Sequence, residues 1–376
     1  MADIVIVRTA NSIIYDPRVK KIVGSLSKRY SISVLGWNRD ALSEQTIKNY
    51  AVKLELFKLK TSIWKPSMMR IFARLIFFAP PFWAWVLFRL LVIRPKVVHA
   101  CDLDSVPPCY IYKLLLRKKL VFDVFDRYAT TFIPKKFKIL YGIINSIEEF
   151  FSMHSDVLIV ANGENVLKSF QKKPSHCEII LNYPDDAIID GTQRLRKNDF
   201  FTIAFTGHIR RRRGLETLIH VIRDLKDIQV LITGRIEDEI LFNEIQNMQN
   251  VKYLGLVDDS ALLEIESSSN VIVAFYDPVF FSDNMPLPNK IFEAMMCSTP
   301  VVTNVAHEII NETNCGLVVE YDNEKQIKEA IITLSDNPQL CKKLGDNGRK
   351  AFLEKYNWSE MEQKLYRVYE TLLPKN

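Results

Sequence analysis

Two stretches of the sequence combine residue types that could do chemistry. The first is FTGHIRRRRGLETLI, over 205–219. A strand ending at Thr206 is followed by Gly207, His208, four consecutive arginines at 210–213, and Gly214, where a helix begins. Four like charges in a row repel one another. They are more comfortable around an anion such as a diphosphate, which guanidinium groups bind bidentately. A solvated basic loop is the plain alternative, weakened because a doubly wound domain places its ligands at the carboxyl ends of strands. The second stretch is MPLPNKIFEAMMCSTPVV, over 285–302. Pro288 suits the first turn of a helix, whose free N–H groups and positive dipole end attract an anion. Lys290 lies in that turn. Glu293 follows at i+3 on the same general face, where a carboxylate can accept ribose hydroxyls. An ordinary Lys–Glu surface pair has the same spacing.

Other chemistries lack their patterns. The sequence has no GxGxxG, GxxxxGK[ST], GxSxG or HExxH. Its 6 His show no regular spacing and its 6 Cys form no CxxC pair, so no metal site is expected and a reduced cytosolic setting is. The carboxylate pairs Asp102/Asp104, Asp123/Asp126 and Asp258/Asp259 read first as loop ends. The arginine run has no interleaved aromatics, which disfavours nucleic acid. No secretory signal is evident at the start of the chain.

The elements that must position these residues follow from periodicity. At 376 residues, 48% hydrophobic and 25% charged, the chain is ordinary globular material with room for two or three domains. Apolar runs at 4–8, 31–37, 52–59, 96–100, 120–123 and 157–160 alternate with helical stretches, the first opening at Asp16-Pro17. A second such series runs from 202 to 336. Alternating strands and helices predict parallel sheets in two α/β, doubly wound domains. The boundary is expected in the polar stretch 182–199, dividing the chain into 1–184 and 185–357, with a terminal helix over 358–376. Residues 1–184 hold 28 Lys+Arg against 14 Asp+Glu, and 185–376 hold 22 against 30. The first half therefore suits an anionic partner such as a membrane surface. Within it, 63–93 reads IWKPSMMRIFARLIFFAPPFWAWVLFRLLVI. Broken by Pro80-Pro81, it is weak as a spanning helix. It suits a surface helix pair in which Phe82, Trp83, Trp85 and Phe88 enter a membrane interface beside Arg70, Arg74 and Arg89. A helix packed on the sheet is the alternative.

In order and spacing these segments resemble the retaining glycosyltransferases of the two-Rossmann-domain GT-B type, family GT4 (glycosyl transferases group 1). The resemblance covers nearly the whole chain. It rests on the opening strand with YDPRVKKIVGSLSKRYSISVLGWNRD, on RPKVVHACDLDSVPPCYIYKLLLRKKLVFDVFD, on SDVLIVANGENV followed by ILNYP, and on the two stretches above, the second followed by NCGLVV. It implies two Rossmann-like domains facing across a cleft, the acceptor held by 1–184 and the donor by 185–357, with the terminal helix crossing back onto the first domain. Arg213 falls where the family has a basic residue before its phosphate-loop glycine, here Gly214. Gly207 is the other turn glycine. His208 stands where a second basic residue often follows it, a role Arg210 can take. Pro288 and Asn289 open the second helix, Lys290 matches the basic residue of a PNK variant, and Glu293 matches the ribose-binding glutamate. Asn11 and Ser12 fall in the loop after the first strand, near the diphosphate. Arg235 and Leu256–Val257 lie where the base usually rests.

The departures are as specific. Met285 occupies the position of a sugar-contacting glutamate, with Asp283 and Asn284 nearby. Phe125 stands where a histidine usually bonds the sugar 6-hydroxyl, and Phe has no polar hydrogen to donate. Cys101 replaces a second histidine. These changes imply a donor without a 6-hydroxyl, such as a deoxy sugar or pentose, or else lost activity. Asp126 and Asp102 are expected near the acceptor hydroxyl, although a strand-end cap is the plainer role for Asp102. The resemblance thus implies a metal-independent, cofactor-free transferase. It would move sugar from a nucleotide-diphosphate donor to a lipid-linked or polysaccharide acceptor in envelope glycan synthesis, at the cytoplasmic face of the membrane. Its rivals are a catalytically inactive GT-B-like partner subunit and, last, a nucleotide-sugar epimerase.

Overall fold

The computed structural model describes residues 2–9, 13, 16–38, 52–58, 79–133, 136–188, 200–279 and 287–374. They form two compact units, Met1–Asn182 with Met361–Asn376, and Tyr183–Glu360.

The first unit is a seven-stranded sheet in the order β3-β2-β1-β4-β5-β6-β7 with every pairing parallel. Its strands are β1 (Ile4–Arg8), β2 (Ile32–Trp37), β3 (Lys53–Phe57), β4 (Val97–Cys101), β5 (Lys119–Val124), β6 (Val157–Val160) and β7 (Cys177–Ile179). Its helices are α1 (Pro17–Leu26), α2 (Ala79–Ile93), α3 (Val106–Leu116), α4 (Tyr128–Phe132), α5 (Lys138–His154) and α6 (Glu164–Ser169). β1, β2 and β4 are buried along their whole lengths, as expected of strands covered on both faces. Asp16 caps α1 by accepting from the N–H groups of Arg18 and Val19, and Pro17 supplies the preset first turn.

The second unit is a six-stranded parallel sheet, β10-β9-β8-β11-β12-β13. It consists of β8 (Phe201–Thr206), α7 (Leu215–Ile222), β9 (Ile228–Thr233), α8 (Glu239–Gln246), β10 (Val251–Tyr253), α9 (Asp259–Ser268), β11 (Val271–Ala274), α10 (Asn289–Met296), β12 (Val301–Thr303), α11 (His307–Thr313), β13 (Gly316–Val318), α12 (Glu324–Asp336) and α13 (Pro338–Glu354). The last helix is α14 (Trp358–Leu372), and from Met361 onward it belongs to the first unit. There the Tyr369 hydroxyl bonds His99 at 2.7 Å and the Tyr366 hydroxyl donates to the Ser25 carbonyl at 3.1 Å. In each sheet the strand order reverses once, between β1 and β4 and between β8 and β11. Doubly wound sheets bind ligands at such switch points.

The segment 63–93 needs correction where it is described. Pro80 and Pro81 lie near the start of the described part of α2, and the helix expected before them lies outside the described residues. Phe82 is fully buried and stacks on Trp37 at 5.3 Å between centroids, so it is a core residue and not a membrane anchor. Trp83 donates its indole N–H to the Asp104 carbonyl at 2.7 Å, and Arg89 is paired with Glu55. Phe88 is exposed. Arg70 and Arg74 lie outside the described residues. Among those residues no helix is long and apolar enough to cross a membrane.

Candidate functional site

The switch point of the second unit is flanked by the loops after β8 and β11. The β8 loop turns at Gly207 (φ 123°), continues through a single 3-10 turn, Arg211–Arg213, and turns again at Gly214 (φ 64°) to start α7. A Cβ on Gly214 would stand 2.6 Å from the Cβ of Phe275, so glycine here admits both the left-handed turn and close packing against the β11 loop. The neighbouring loop is tied down in the same way. Gly207 N–H donates to the Thr233 carbonyl at 2.9 Å, and a Cβ on Gly234 would overlap the Gly207 carbonyl.

These turns set apart the four arginines. Arg211 is exposed and bonded to Asp238 (3.0 Å) and Glu216 (3.1 Å), so it is a surface ion-pair residue and not part of an anion grip. Arg212 is exposed as well. Arg213 is half-buried; its guanidinium lies over the Tyr276 ring at 4.1 Å and donates to the Tyr276 hydroxyl at 3.0 Å. Among the described residues, the Nε atoms of Arg210 and Arg213 are buried with no hydrogen-bond partner. A buried guanidinium donor left unmatched is costly, and an anion is its natural complement. His208 is paired with Glu237 at 2.6 Å, and the same carboxylate lies 3.6 Å from Arg210.

From the other side comes α10. Pro288 occupies the N-cap with extended backbone and makes no side-chain cap bond to the first-turn N–H groups. Lys290 makes the i,i+3 contact with Glu293 at 2.5 Å, but this is no ordinary surface pair. Its ammonium also lies 3.0 Å from Glu266 of α9, which is buried and accepts from the Thr206 hydroxyl at 2.9 Å. Burial works against the Lys290 charge, but Glu293 and Glu266 outweigh it and hold the ammonium protonated well above its usual range. Burial pushes the Glu266 carboxyl up to about 7, against the pull of Lys290, with Glu293 pushing the same way. Tyr276 joins the two sides. Its hydroxyl lies in the field of Arg213, Lys290 and Glu293, and Asn304 clamps its backbone through bonds of 2.8 Å to both N–H and carbonyl.

Sequence patterns pointed to Arg213, Lys290 and Glu293 but not to Tyr276, Glu266, Thr206 or Asn304. The available signal was position alone: Thr206, Tyr276 and Asn304 sit at or just after the carboxyl ends of β8, β11 and β12. Asn289 and Arg235 are exposed, and Val257 is half-buried in the loop after β10. Asn284, Met285, Asn11 and Ser12 lie outside the described residues.

At the switch point of the first unit, Arg8 ends β1 and is bonded to Asp16 (3.0 Å) and to Asp102. Asp102, with φ at 64°, also accepts from the N–H groups of Phe125 (2.7 Å) and Asp126 (3.2 Å), latching the loops after β4 and β5 together. Phe125 lies between two guanidinium groups, Arg8 at 4.2 Å and Arg18 at 5.1 Å from its ring centre. Arg18 is itself bidentate on Asp123. Asp126 accepts one long bond, from Asn162 at 3.4 Å. Burial above all, then the Asp102 charge, raises its carboxyl from 3.8 to about 6.

Two Rossmann-like parallel sheets, with loops at the switch points as described, define the GT-B fold. The chain superimposes on Anabaena HepE, solved with UDP and glucose, with a TM-score of 0.74 over 99% of this chain and 100% of that one, at 14% identity. Residues 201–337 match the family model described as "Glycosyl transferases group 1". Over 265 residues the chain is 26% identical to an uncharacterized glycosyltransferase of Methanocaldococcus jannaschii, covering 69% of this chain and 66% of the relative. It is 27% identical over 195 residues to CapM, a capsular polysaccharide biosynthesis glycosyltransferase of Staphylococcus aureus, covering 47% of each. The matched regions thus span from about half to just under two thirds of those relatives' lengths. Domain and fold together support a glycosyltransferase of GT-B type.

Proposed function

We propose that the chain is a retaining, metal-independent glycosyltransferase of family GT4. It transfers a sugar from a nucleotide-diphosphate donor to a lipid-linked or polysaccharide acceptor in envelope glycan synthesis, peripheral to the cytoplasmic face of the membrane. The observation that carries this reading is the convergence of Arg213, Lys290 and the N-terminus of α10 on the switch point of the second unit, with two buried guanidinium donors unmatched among the described residues. Such a cluster suits the charge that builds on a diphosphate as the bond from its oxygen to the anomeric carbon breaks. Glu293 takes the ribose hydroxyls, which requires it to share or leave Lys290. Gly207, His208, Arg210, Asn289, Arg235 and Val257 line the donor side, with Asn284 and Met285 toward the sugar. Asn11 and Ser12 lie beside the diphosphate.

The acceptor belongs to the first unit. Asp126 is placed beside the acceptor hydroxyl, its raised pKa suiting a group that exchanges a proton near neutrality. Phe125 is already committed to two guanidinium groups and offers the sugar no hydrogen bond, so the preferred donor sugar lacks a 6-hydroxyl.

Calorimetric titration with UDP-, GDP-, ADP- and dTDP-linked hexoses, deoxy sugars and pentoses tests this. Binding of one donor series, tightest for a sugar without a 6-hydroxyl, is expected. Failure of every nucleotide sugar to bind overturns the reading. Retained turnover in excess chelator is expected of metal-independent chemistry.

A further inference from the structure

α5 is built inside out. A surface helix ordinarily turns its apolar stripe to the core and its charges to water. In α5 the buried residues are Glu148, Glu149 and Ser152. Glu148 accepts from the N–H groups of Tyr128 (2.6 Å) and Ala129 (3.1 Å), and so caps the start of α4. Glu149 accepts from Arg127 (2.8 Å) and from the Gln171 N–H (3.0 Å). The polar face is thus committed inward, and the apolar stripe faces out. Ile139, Ile143, Ile147 and Phe150, at helical spacing, are 83%, 52%, 39% and 44% exposed. α3 extends the surface. Its Tyr110 meets Phe150 edge-on at 5.4 Å, and Leu114, one turn further on, is 60% exposed, as is Leu115. Among the described residues of the second unit, no helix exposes more than one large apolar side chain.

Charge indicates what covers this face. α2, α3 and α5 carry no exposed acidic side chain among the described residues. Exposed Lys136 and Lys138 precede the α5 stripe and exposed Arg117 follows Leu115, while Lys119 is held by Asp156 at 3.1 Å. An apolar stripe with exposed cations at its ends and no exposed acid on its own helices complements an anionic lipid surface.

We propose that the outward face of α5 and α3 docks on an anionic membrane, with the Ile139–Ile143–Ile147–Phe150 stripe entering the boundary between headgroups and acyl chains. The basic residues at its ends meet lipid phosphates. This rests on the peripheral-membrane part of the function proposed above and moves the contact from 63–93 to different helices.

The test is flotation of the full chain with phosphatidylcholine vesicles, with and without about 30 mol% phosphatidylglycerol. Wild type should partition at least about tenfold more strongly onto the anionic vesicles. Ile143→Glu/Ile147→Glu should weaken that partition at least about tenfold, while Phe88→Glu on α2 leaves it nearly unchanged. Nucleotide-sugar titration should be the same for all three proteins. Should the double variant fold poorly by circular dichroism, Lys136→Glu/Lys138→Glu replaces it and should remove the preference for anionic lipid. Equal flotation of wild type and the α5 variant overturns this surface but leaves membrane attachment standing. No flotation of wild type overturns both, and the titration still decides the transferase reading independently. A concentration-dependent dimer abolished by the double variant assigns the face to a second copy and overturns the proposal.

Discussion

The two switch points share a topology and use their basic residues differently. In the first unit Arg8 and Arg18 are buried and matched: Asp16, Asp102 and Asp123 take up their donors, and the network pins the loops after β1, β4 and β5. In the second, Arg210 and Arg213 keep buried Nε donors unmatched among the described residues, and Lys290 is shared between two carboxylates. A guanidinium can serve as scaffold or as ligand grip. The acids built around it bias which, because a buried donor that the protein leaves unmatched is best complemented by an arriving anion.

The sharpest way to break this contrast is to remove the scaffold arginine. Arg18→Ala leaves Asp123 buried without its bidentate partner, and should cost about 3–5 kcal/mol in denaturant unfolding. Nucleotide-sugar affinity of the folded protein should change less than about threefold. Arg213→Ala should do the reverse, losing about 2–3 kcal/mol of donor affinity by calorimetry and under about 1 kcal/mol of stability. If Arg213→Ala unfolds the protein and binds donor normally, the two arginines have the same role and the contrast fails. Glu293→Ala should weaken the nucleotide sugar about tenfold and pyrophosphate hardly at all. Equal losses for both would remove its ribose role.

An effect of a different kind, read in stability and not in affinity, is expected at Asp126. Its carboxyl is raised from 3.8 to about 6 in the folded chain, so the folded state favours the protonated form. The stability this contributes is full below about pH 4 and is lost as pH rises through about 6. Asp126→Asn should therefore stabilise by about 1–3 kcal/mol at pH 8 and by nothing at pH 3. A variant equally stabilised at both pH values would show that packing, not ionisation, is responsible.

Much of the architecture was legible because its signals are local. Buried parallel strands announce themselves as short apolar runs, and Asp16-Pro17 announces the start of α1. Gly207, Gly214 and Pro288 mark backbone conformations that few other residues adopt cheaply. Asn337, which caps α13, and Pro338, which opens it, are local signals of the same kind. The hydrophobic segment at 63–93 misled because an apolar stretch has the same composition whether it meets a sheet or a lipid. Phe82 against Trp37 is a contact between distant parts of the chain.

The sequence by itself determined the alternation of strands and helices, the two doubly wound sheets that follow from it, and the residue types available at their carboxyl ends. Periodicity and backbone preference act over a few neighbours. Only the tertiary structure decided which charges are matched. It placed Glu266 under Lys290, Tyr276 against Arg213, and Asp102 between Arg8 and the β5 loop. It also turned the acids of α5 inward and its isoleucines outward. The physical reason is that Coulomb and burial energies depend on distance and solvent access, and the chain sets these only when residues far apart in sequence meet.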